Sequence, residues 1–342
     1  MKWDISSLER KASITSSGAI LLGSYVVCDG FEWDRDVAIV THIHADHITH
    51  FERCLGSYDF ILCSPETKEL LITLKGDWLG LHRNLIPLPY KRRYPNKEEY
   101  ITLYPAKHIL GSAQVLVENK DGVRIAYTGD FNFPNTKPIS TDILVLDATF
   151  GDPAQVTKCS RDGIIDRLVY LVKRELETSS VCILAHRGKL QEVMSILNEK
   201  GITIPFLCAP DIFRMSIVYQ KYGASVGNVL SLEDNAAQEI IQKGERHIIF
   251  HLLGRRLQLL PKGIHYTKIR VSRWGTKEPY YTIADDYYVV ALSDHADFNG
   301  ILEYVRQCKP KLVITDGYRA GSADLLAAEI RNELHVEAKA MP

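Results

Sequence analysis

At 342 residues, with 46% apolar and 24% charged side chains, the chain has the composition of a globular protein long enough for two domains. Its formal net charge of −1 excludes a global attraction to polyanions, so any nucleic-acid surface must be a local patch. No apolar run approaches the ~20 residues of a bilayer span, the N-terminus lacks an apolar signal core, and seven scattered cysteines without a Cys-x-x-Cys pair point to a reducing cytoplasm rather than a disulfide framework.

In chain order, residues 18 to 50 read as strand, turn, strand, strand and polar loop. Ala19–Leu22 and Tyr25–Cys28 flank a turn at Gly23-Ser24, and Val37-Ala38-Ile39-Val40 is the apolar run of a buried strand. Asp29 ends the second strand, either as a turn former before Gly30 or as a carboxylate that holds a histidine by its second ring nitrogen. Then comes Thr41-His42-Ile43-His44-Ala45-Asp46-His47. Near the end of an extended segment His42 and His44 can face one point, while Asp46 and His47 arrive from the turn that follows. One ion cannot easily accept four side chains from so short a stretch. Two ions roughly 3.5–4 Å apart could share them, as in metal-assisted phosphoester hydrolysis. His50 reads as a bystander.

Phe60–Cys63 is a short strand, and Ser64-Pro65-Glu66-Thr67 opens a helix with a capping serine, proline at the first helical position and an acid in the first turn. Residues 100 to 131 alternate like antiparallel strands, with Asn119-Lys120-Asp121-Gly122 as a hairpin loop. They contain His108 and Asp130, which supply what the first loop lacks: a third nitrogen for one ion and a carboxylate able to bridge both. Leu144 to Phe150 reads as a buried strand with Asp147 embedded in it, and that carboxylate should face a polar site.

From about 152 to 289 the pattern becomes helix–strand alternation, as in Ile164–Leu176, Val181–Leu184, the helix after Gly188 and Ile204–Leu207. This predicts a parallel α/β domain inserted into the first. The turn Ala185-His186-Arg187-Gly188-Lys189 joins a strand to a helix N-terminus; it suits a phosphate, or an ordinary capped helix. Between Ile241 and Lys277 stand Lys243, Arg246, Arg255, Arg256, Lys262, Lys268, Arg270, Arg273 and Lys277 against Glu245 alone, a net of +8 that leaves −9 on the rest of the chain. That asymmetry suits a polyanion channel, or an outer face whose partner acids lie elsewhere in the fold. Tyr287–Leu292 then leads into Ser293-Asp294-His295-Ala296-Asp297, and Lys311–Thr315 is a last strand ending at Asp316, followed by a helix to about Leu334. Strand, polar residue, helix repeats the layout of the first loop, so the chain returns to its first domain.

Together these residues resemble the signature of the metallo-β-lactamase-fold nucleases that carry a β-CASP insertion. The signature is His42-x-His44-x-Asp46-His47, the later single ligands fall on His108 and Asp130, and the insertion's markers fall on Asp147, His295 and Asp316. The wording His108-Ile109-Leu110-Gly111-Ser112 and the Gly188-Lys189 turn are similar to those of ligase-associated DNA exonucleases and DNA cross-link repair nucleases. The resemblance implies an α/β protein, a metallo-β-lactamase αββα sandwich (1–151 and 290–342) with an inserted β-CASP α/β domain (152–289).

It implies two divalent ions, zinc by their donors, with manganese or magnesium as alternatives. His42, His44 and His108 would hold one; Asp46, His47 and Asp316 the other; Asp130 would bridge, and Asp29 would stand behind the ligands. His295, oriented by Asp147, would protonate the leaving oxygen, with Asp46 a further catalytic residue. Arg187, Gly188, Lys189 and Ser272 would hold a substrate phosphate. The implied function is 5′-to-3′ exonucleolytic cleavage of single-stranded or end-bearing DNA in repair or processing, beside a DNA ligase or other repair proteins. The alternative is an RNA-processing nuclease of the mRNA 3′-end type; a thioester or lactam hydrolase and a non-catalytic scaffold are further rivals. Two positions depart from the pattern. Asp316 stands where RNA-processing members have His and cross-link repair nucleases an apolar residue, and His186 where the latter tend to have Ser.

Overall fold

The computed structural model describes residues 4–156, 158–257, 260–272 and 278–342; Arg273 and Lys277 of the basic segment lie outside them. The chain forms two units, Met1–Val156 with Asp294–Pro342, and Thr157–Ser293. The divisions thus fall a few residues later than 151/152 and 289/290.

In the first unit, β1 (Ala12–Ile14), β2 (Ile20–Leu22), β3 (Val26–Cys28), β4 (Val37–Ile39), β5 (Phe60–Cys63) and β6 (Leu85–Pro87) form one sheet in that order. It is antiparallel up to β3 and parallel from β3 onward. A second sheet begins with β7 (Arg93–Asn96), β8 (Glu99–Pro105), β9 (Ala113–Asn119), β10 (Arg124–Tyr127) and β11 (Ile143–Leu146). The expected strand to Phe150 stops at Leu146, because the amide of Asp147 turns to the hydroxyl of Thr128 and its carboxylate to the amide of Thr149.

The second unit is the α/β layer. Its strands are β12 (Ser180–Ala185), β13 (Phe206–Cys208), β14 (Val229–Ser231), β15 (Ile248–Leu252), β16 (Tyr266–Val271), β17 (Tyr280–Ala284) and β18 (Tyr287–Val290), in the order β14-β13-β15-β12-β16-β18-β17. All pairs are parallel except β17 with β18. The strand expected from Ile204 starts only at Phe206, since Pro205 has no N–H to give an interior strand.

Back in the first unit, β19 (Leu312–Asp316) and β20 (Glu337–Met341) complete the second sheet as β20-β19-β11-β10-β9-β8-β7. β20 was not expected: Glu-Ala-Lys-Ala-Met has little intrinsic strand preference, and its parallel pairing with β19 decides the matter.

Period-two alternation sorts the side chains of the second sheet. Ile125, Tyr127, Ile143, Val145, Leu312 and Ile314 enter a core shared with Ile20, Val26, Val37 and Ile39 of the first sheet. Their neighbours Ala126, Leu144, Leu146 and Val313 pack on the other side with residues of the helices Phe298–Cys308 and Ala323–Leu334. The helix Pro65–Lys75, capped by Ser64 as its sequence predicts, buries Leu70 and Leu71. Layers of helix, sheet, sheet and helix result. Their consequence for function is that β3, β4, β10, β11 and β19 end on polar residues: Asp29, the Thr41–His47 loop, Asp130, Asp147 and Asp316. Crevices beyond the carboxyl ends of strands are where α/β folds place ligands.

Candidate metal centre

Each histidine of the cluster is oriented by its neighbours. The Thr41 hydroxyl donates to Asp29 Oδ2 at 2.6 Å and lies 3.1 Å from His42 Nδ1, so its oxygen accepts the His42 Nδ1–H. His47 Nδ1 donates to the same Asp29 Oδ2 at 2.8 Å, and His108 Nδ1 to the Asp294 carbonyl at 3.1 Å. In all three rings Nδ1 is the engaged atom and Nε2 is left to face the other side chains, the arrangement that outer carboxylates and carbonyls give metal-binding histidines. Asp29 can do this because it adopts a left-handed backbone, φ 51°, which Asp tolerates, and so turns back over its own strand.

The lone pairs converge. His108 Nε2 lies 3.0 Å from His44 Nδ1 and 3.5 Å from Asp130 Oδ2, which is itself 3.6 Å from His42 Nε2. Asp130 Oδ1 is 3.2 Å from His47 Nε2, and Asp46 Oδ2 approaches that nitrogen to 3.6 Å. Two zinc–nitrogen bonds of ~2.0–2.1 Å at a tetrahedral angle set nitrogens about 3.3 Å apart, and His108 Nε2 and His44 Nδ1 stand 3.0 Å apart. His42, His44, His108 and Asp130 offer ligand atoms all within 4.8 Å of one another. The nitrogens His42 Nε2 and His47 Nε2 are buried without a hydrogen-bond partner. Buried polar atoms are rarely left so; a cation is what such donors fit.

Electrostatics divide the rings. Burial pushes His108 down and His42 well down, into the neutral form that coordinates. Burial would do the same to His47 and His295, but Asp130 and Asp29 outweigh it at the first and raise it to about 10, while Asp147 and Asp130 raise the second to about 9. In return His47 and His295 hold the Asp130 carboxyl well below the usual range despite its burial. His295 Nδ1 donates to Asp147 Oδ2 at 2.9 Å, and its Nε2 points toward Asp130 Oδ2 at 3.8 Å. His295 thus borders the cluster as a held cation with a proton to give.

Two variants test how the frame holds these groups. Gly129, φ 54°, lets β10 deliver Asp130; a Cβ there would stand 2.8 Å from the Ala113 carbonyl, which is fixed backbone. Gly129→Ala is expected to cost about 2–4 kcal/mol in chemical denaturation. Asp29→Ala frees His47 and Thr41 from their anchor, and outer-ligand losses of this kind weaken cation binding by about 10–100-fold in calorimetry.

Other expected residues fare differently. Asp316 belongs to none of the donor groups among the described residues: its Oδ1 accepts the amides of Tyr318 and Arg319 and its Oδ2 accepts Arg319 Nη1 at 2.7 Å. His50 precedes the helix Phe51–Ser57 and belongs to none of the donor groups among the described residues. In the second unit, the amide of Gly188 (φ 82°) is taken by Gln191, Lys189 pairs with Glu192, and Arg187 Nη2 faces Asp211 at 3.4 Å beside Arg255. The amide of Ser272 bonds to Val290. Within the basic segment Lys243, Arg255 and Lys268 are paired with Glu239, Asp211 and Asp286, so part of the +8 is balanced inside the fold. Sequence reasoning missed Thr41, the Asp294 carbonyl and Arg319. A threonine just before the first histidine was the one visible sign.

No family model matches the sequence. A protein in the lig 3′ region of Acidianus ambivalens is 35% identical over 136 residues, 37% of this chain and 91% of that one. A probable DNA ligase of Opitutus terrae is 24% identical over 291 residues, 81% of this chain and 26% of that one. Cleavage and polyadenylation specificity factor subunit 3 of Dictyostelium discoideum is 28% identical over 221 residues, 55% of this chain and 28% of that protein. The chain thus spans about a quarter of the latter two. No helix among the described residues is long and apolar enough to cross a membrane. A likeness shared with a ligase-linked protein and a polyadenylation factor, over a helix–sheet–sheet–helix layering with an inserted α/β unit, leaves one home for it: the chain belongs to the metallo-β-lactamase-fold nucleases with a β-CASP insertion.

Proposed function

We propose that the chain is a metal-dependent DNA nuclease that works from 5′ ends, in DNA repair or processing. The observation that carries this reading is the convergence of His42, His44, His108 and Asp130, with two orphaned ring nitrogens, beside a histidine held protonated by Asp147. When bound, divalent cations, zinc by the donor chemistry, supply a Lewis acid that makes water nucleophilic and neutralises charge developing on the phosphoryl oxygens.

The residues do the rest. His42 and His108 are pushed toward the neutral form by burial and aimed by Thr41 and the Asp294 carbonyl, so their Nε2 lone pairs are pre-oriented. Asp130 supplies negative charge to both sets of histidines. His295 delivers the Nε2 proton to the leaving 3′ oxygen as the P–O3′ bond breaks, while Asp147 fixes the ring through Nδ1 and keeps it charged at neutral pH. The Arg187–Lys189 turn and Ser272 are assigned to a substrate phosphate, and a DNA ligase or other repair protein to the chain as partner. The likeness to part of a probable DNA ligase supports that partner.

RNA cleavage is the second reading, favoured by the likeness to the polyadenylation factor subunit. Matched single-stranded DNA and RNA, labelled at either end and incubated with zinc or manganese, separate the two. The expected result is release of 5′ nucleotides from DNA about tenfold or more faster than from RNA, since a 2′-hydroxyl is the feature a site can tell apart. A 5′-phosphate should accelerate it further. Internal cuts in RNA at the greater rate would establish the second reading instead.

A further inference from the structure

We propose that Trp33, held by Arg53, is a stacking platform for an unpaired base of the nucleic-acid strand, a few nucleotides from the bond that is cut. This rests on the nuclease reading above and names where that strand lies on the first unit.

Trp33 has 70% of its surface open to water, although tryptophan is seldom left so. It is nonetheless held. Its ring meets Phe31 edge-on, with centroids 4.9 Å apart and planes at 89°, and the Arg53 guanidinium lies 3.8 Å from the Phe31 centroid and 4.9 Å from that of Trp33. Phe31 and Tyr58, each 6% exposed, form the frame beneath, and the Tyr58 hydroxyl donates to the Glu32 carbonyl. A large planar ring thus stands in solvent with its orientation already set, and a base can stack on it without first ordering it.

The chain joins this patch to the candidate metal centre from two sides. Asp29, whose carboxylate accepts from His47, comes four residues before Trp33, so their α-carbons lie within about 14 Å of each other. On the other side, the amides of His47, Ile48 and Phe51 each bond to the carbonyl three residues back, and the chain winds from the cation loop into the helix Phe51–Ser57, which carries Arg53. Asp46, Thr49 and Arg53 are exposed at spacings of three and four, which sets them along one ridge. A strand with about 3.4 Å between nucleotides covers the reach from Asp29 to Trp33 in about four steps.

Charge chooses the occupant. Glu52 and Asp36 pair with Lys75 and Lys97, Glu32 accepts the Trp33 amide, and Asp34 is exposed. Such surroundings add no attraction for a run of phosphates. Arg53, which among the described residues faces rings rather than a carboxylate, offers a single cation. The patch therefore suits the π-face of one base beside one phosphate, not a basic track along the backbone. Every base has such a face, so the contact is indifferent to sequence and to the sugar.

The test is binding of a labelled single-stranded DNA oligonucleotide to the full chain, read by fluorescence anisotropy in chelator so that nothing is cut. Trp33→Ala is expected to weaken binding by about 5- to 100-fold, the span of one base–aromatic stack, with the salt dependence unchanged; Trp33→Phe, which keeps a ring, should recover most of the loss. Arg53→Gln should lower the slope of log affinity against log salt by about one. A strand with the same phosphates but abasic throughout should bind wild type and Trp33→Ala alike, and thermal melting shows that each variant folds. A folded Trp33→Ala that binds the normal strand as the wild type does, or that loses as much on the abasic strand, overturns the proposal while the nuclease reading stands. A wild-type dimer that Trp33→Ala turns into a monomer also overturns it, since the face would then belong to a second copy. A wild-type protein that binds neither DNA nor RNA strands overturns both.

Discussion

His295→Ala is expected to lower hydrolysis by about 10²–10⁴-fold, the span of general acid catalysis, while cation content per chain stays at the wild-type value. The ring has no free choice of role. Its Nδ1 is spent on Asp147 at 2.9 Å, which leaves Nε2, 3.8 Å from Asp130 Oδ2, as the one atom that can act. Burial would strip its proton, but the carboxylates of Asp147 and Asp130 raise it to about 9, so at neutral pH the ring is charged. A group that keeps its proton at pH 7 is suited to donating one. Since the folded value is raised, the acid form is complete below about 9 and lost above it, and activity should fall on the alkaline side. Asp147→Asn, which removes the largest favourable charge, should move that fall to lower pH. The competing role is that of a ligand, because His295 also groups with His108 and Asp294, and with Asp130 and Asp147. Metal content decides: an alanine variant that loses cation would make His295 a ligand and refute the acid assignment.

How far the sequence foretold this centre depends on what kind of signal each residue carries. His42, His44, Asp46 and His47 were legible because four ligand side chains within six positions, straight after an apolar strand, seldom gather unless they hold a cation. His108 and Asp130 were legible only jointly, as single polar residues at strand ends that complemented the loop. Asp147 and His295 came through resemblance, and their 2.9 Å contact across 148 positions is beyond any local pattern. Asp316 was expected among the ligands through the family's third marker; in the structure its carboxylate accepts from Arg319, three residues on, whose guanidinium reaches back across the turn. An i,i+3 pair in a loop leaves no periodic trace. β20 was illegible for a similar reason, since Glu337–Met341 is a strand by virtue of its neighbour β19 rather than of its own composition. At the Gly188-Lys189 turn the sequence offered phosphate or capped helix, and in the structure the Gly188 amide bonds to Gln191 and Lys189 pairs with Glu192.

Asp130→Asn is expected to bring hydrolysis to background and to remove cation from the protein, a larger effect than any single histidine should have. Its carboxylate lies 3.2 Å from His47, 3.5 Å from His108, 3.6 Å from His42 and 3.8 Å from His295, and shares a donor group with His44. Asparagine keeps the shape and loses the charge, so the change reads electrostatics rather than packing. A second consequence appears in chelator, where cations play no part. Asp130 and Asp29 raise His47 to about 10, so that pair contributes stability that is complete below the ordinary histidine range and is lost as pH rises through about 10. Removing one partner of a buried pair costs roughly 3–5 kcal/mol. Denaturation at pH 6 should therefore show the full loss, and denaturation near pH 10 a smaller one. Should the variant keep both cations, Asp130 does not bridge, and the histidines alone would have to account for the centre; should the loss in stability be the same at both pH values, the His47 charge is not what Asp130 sustains.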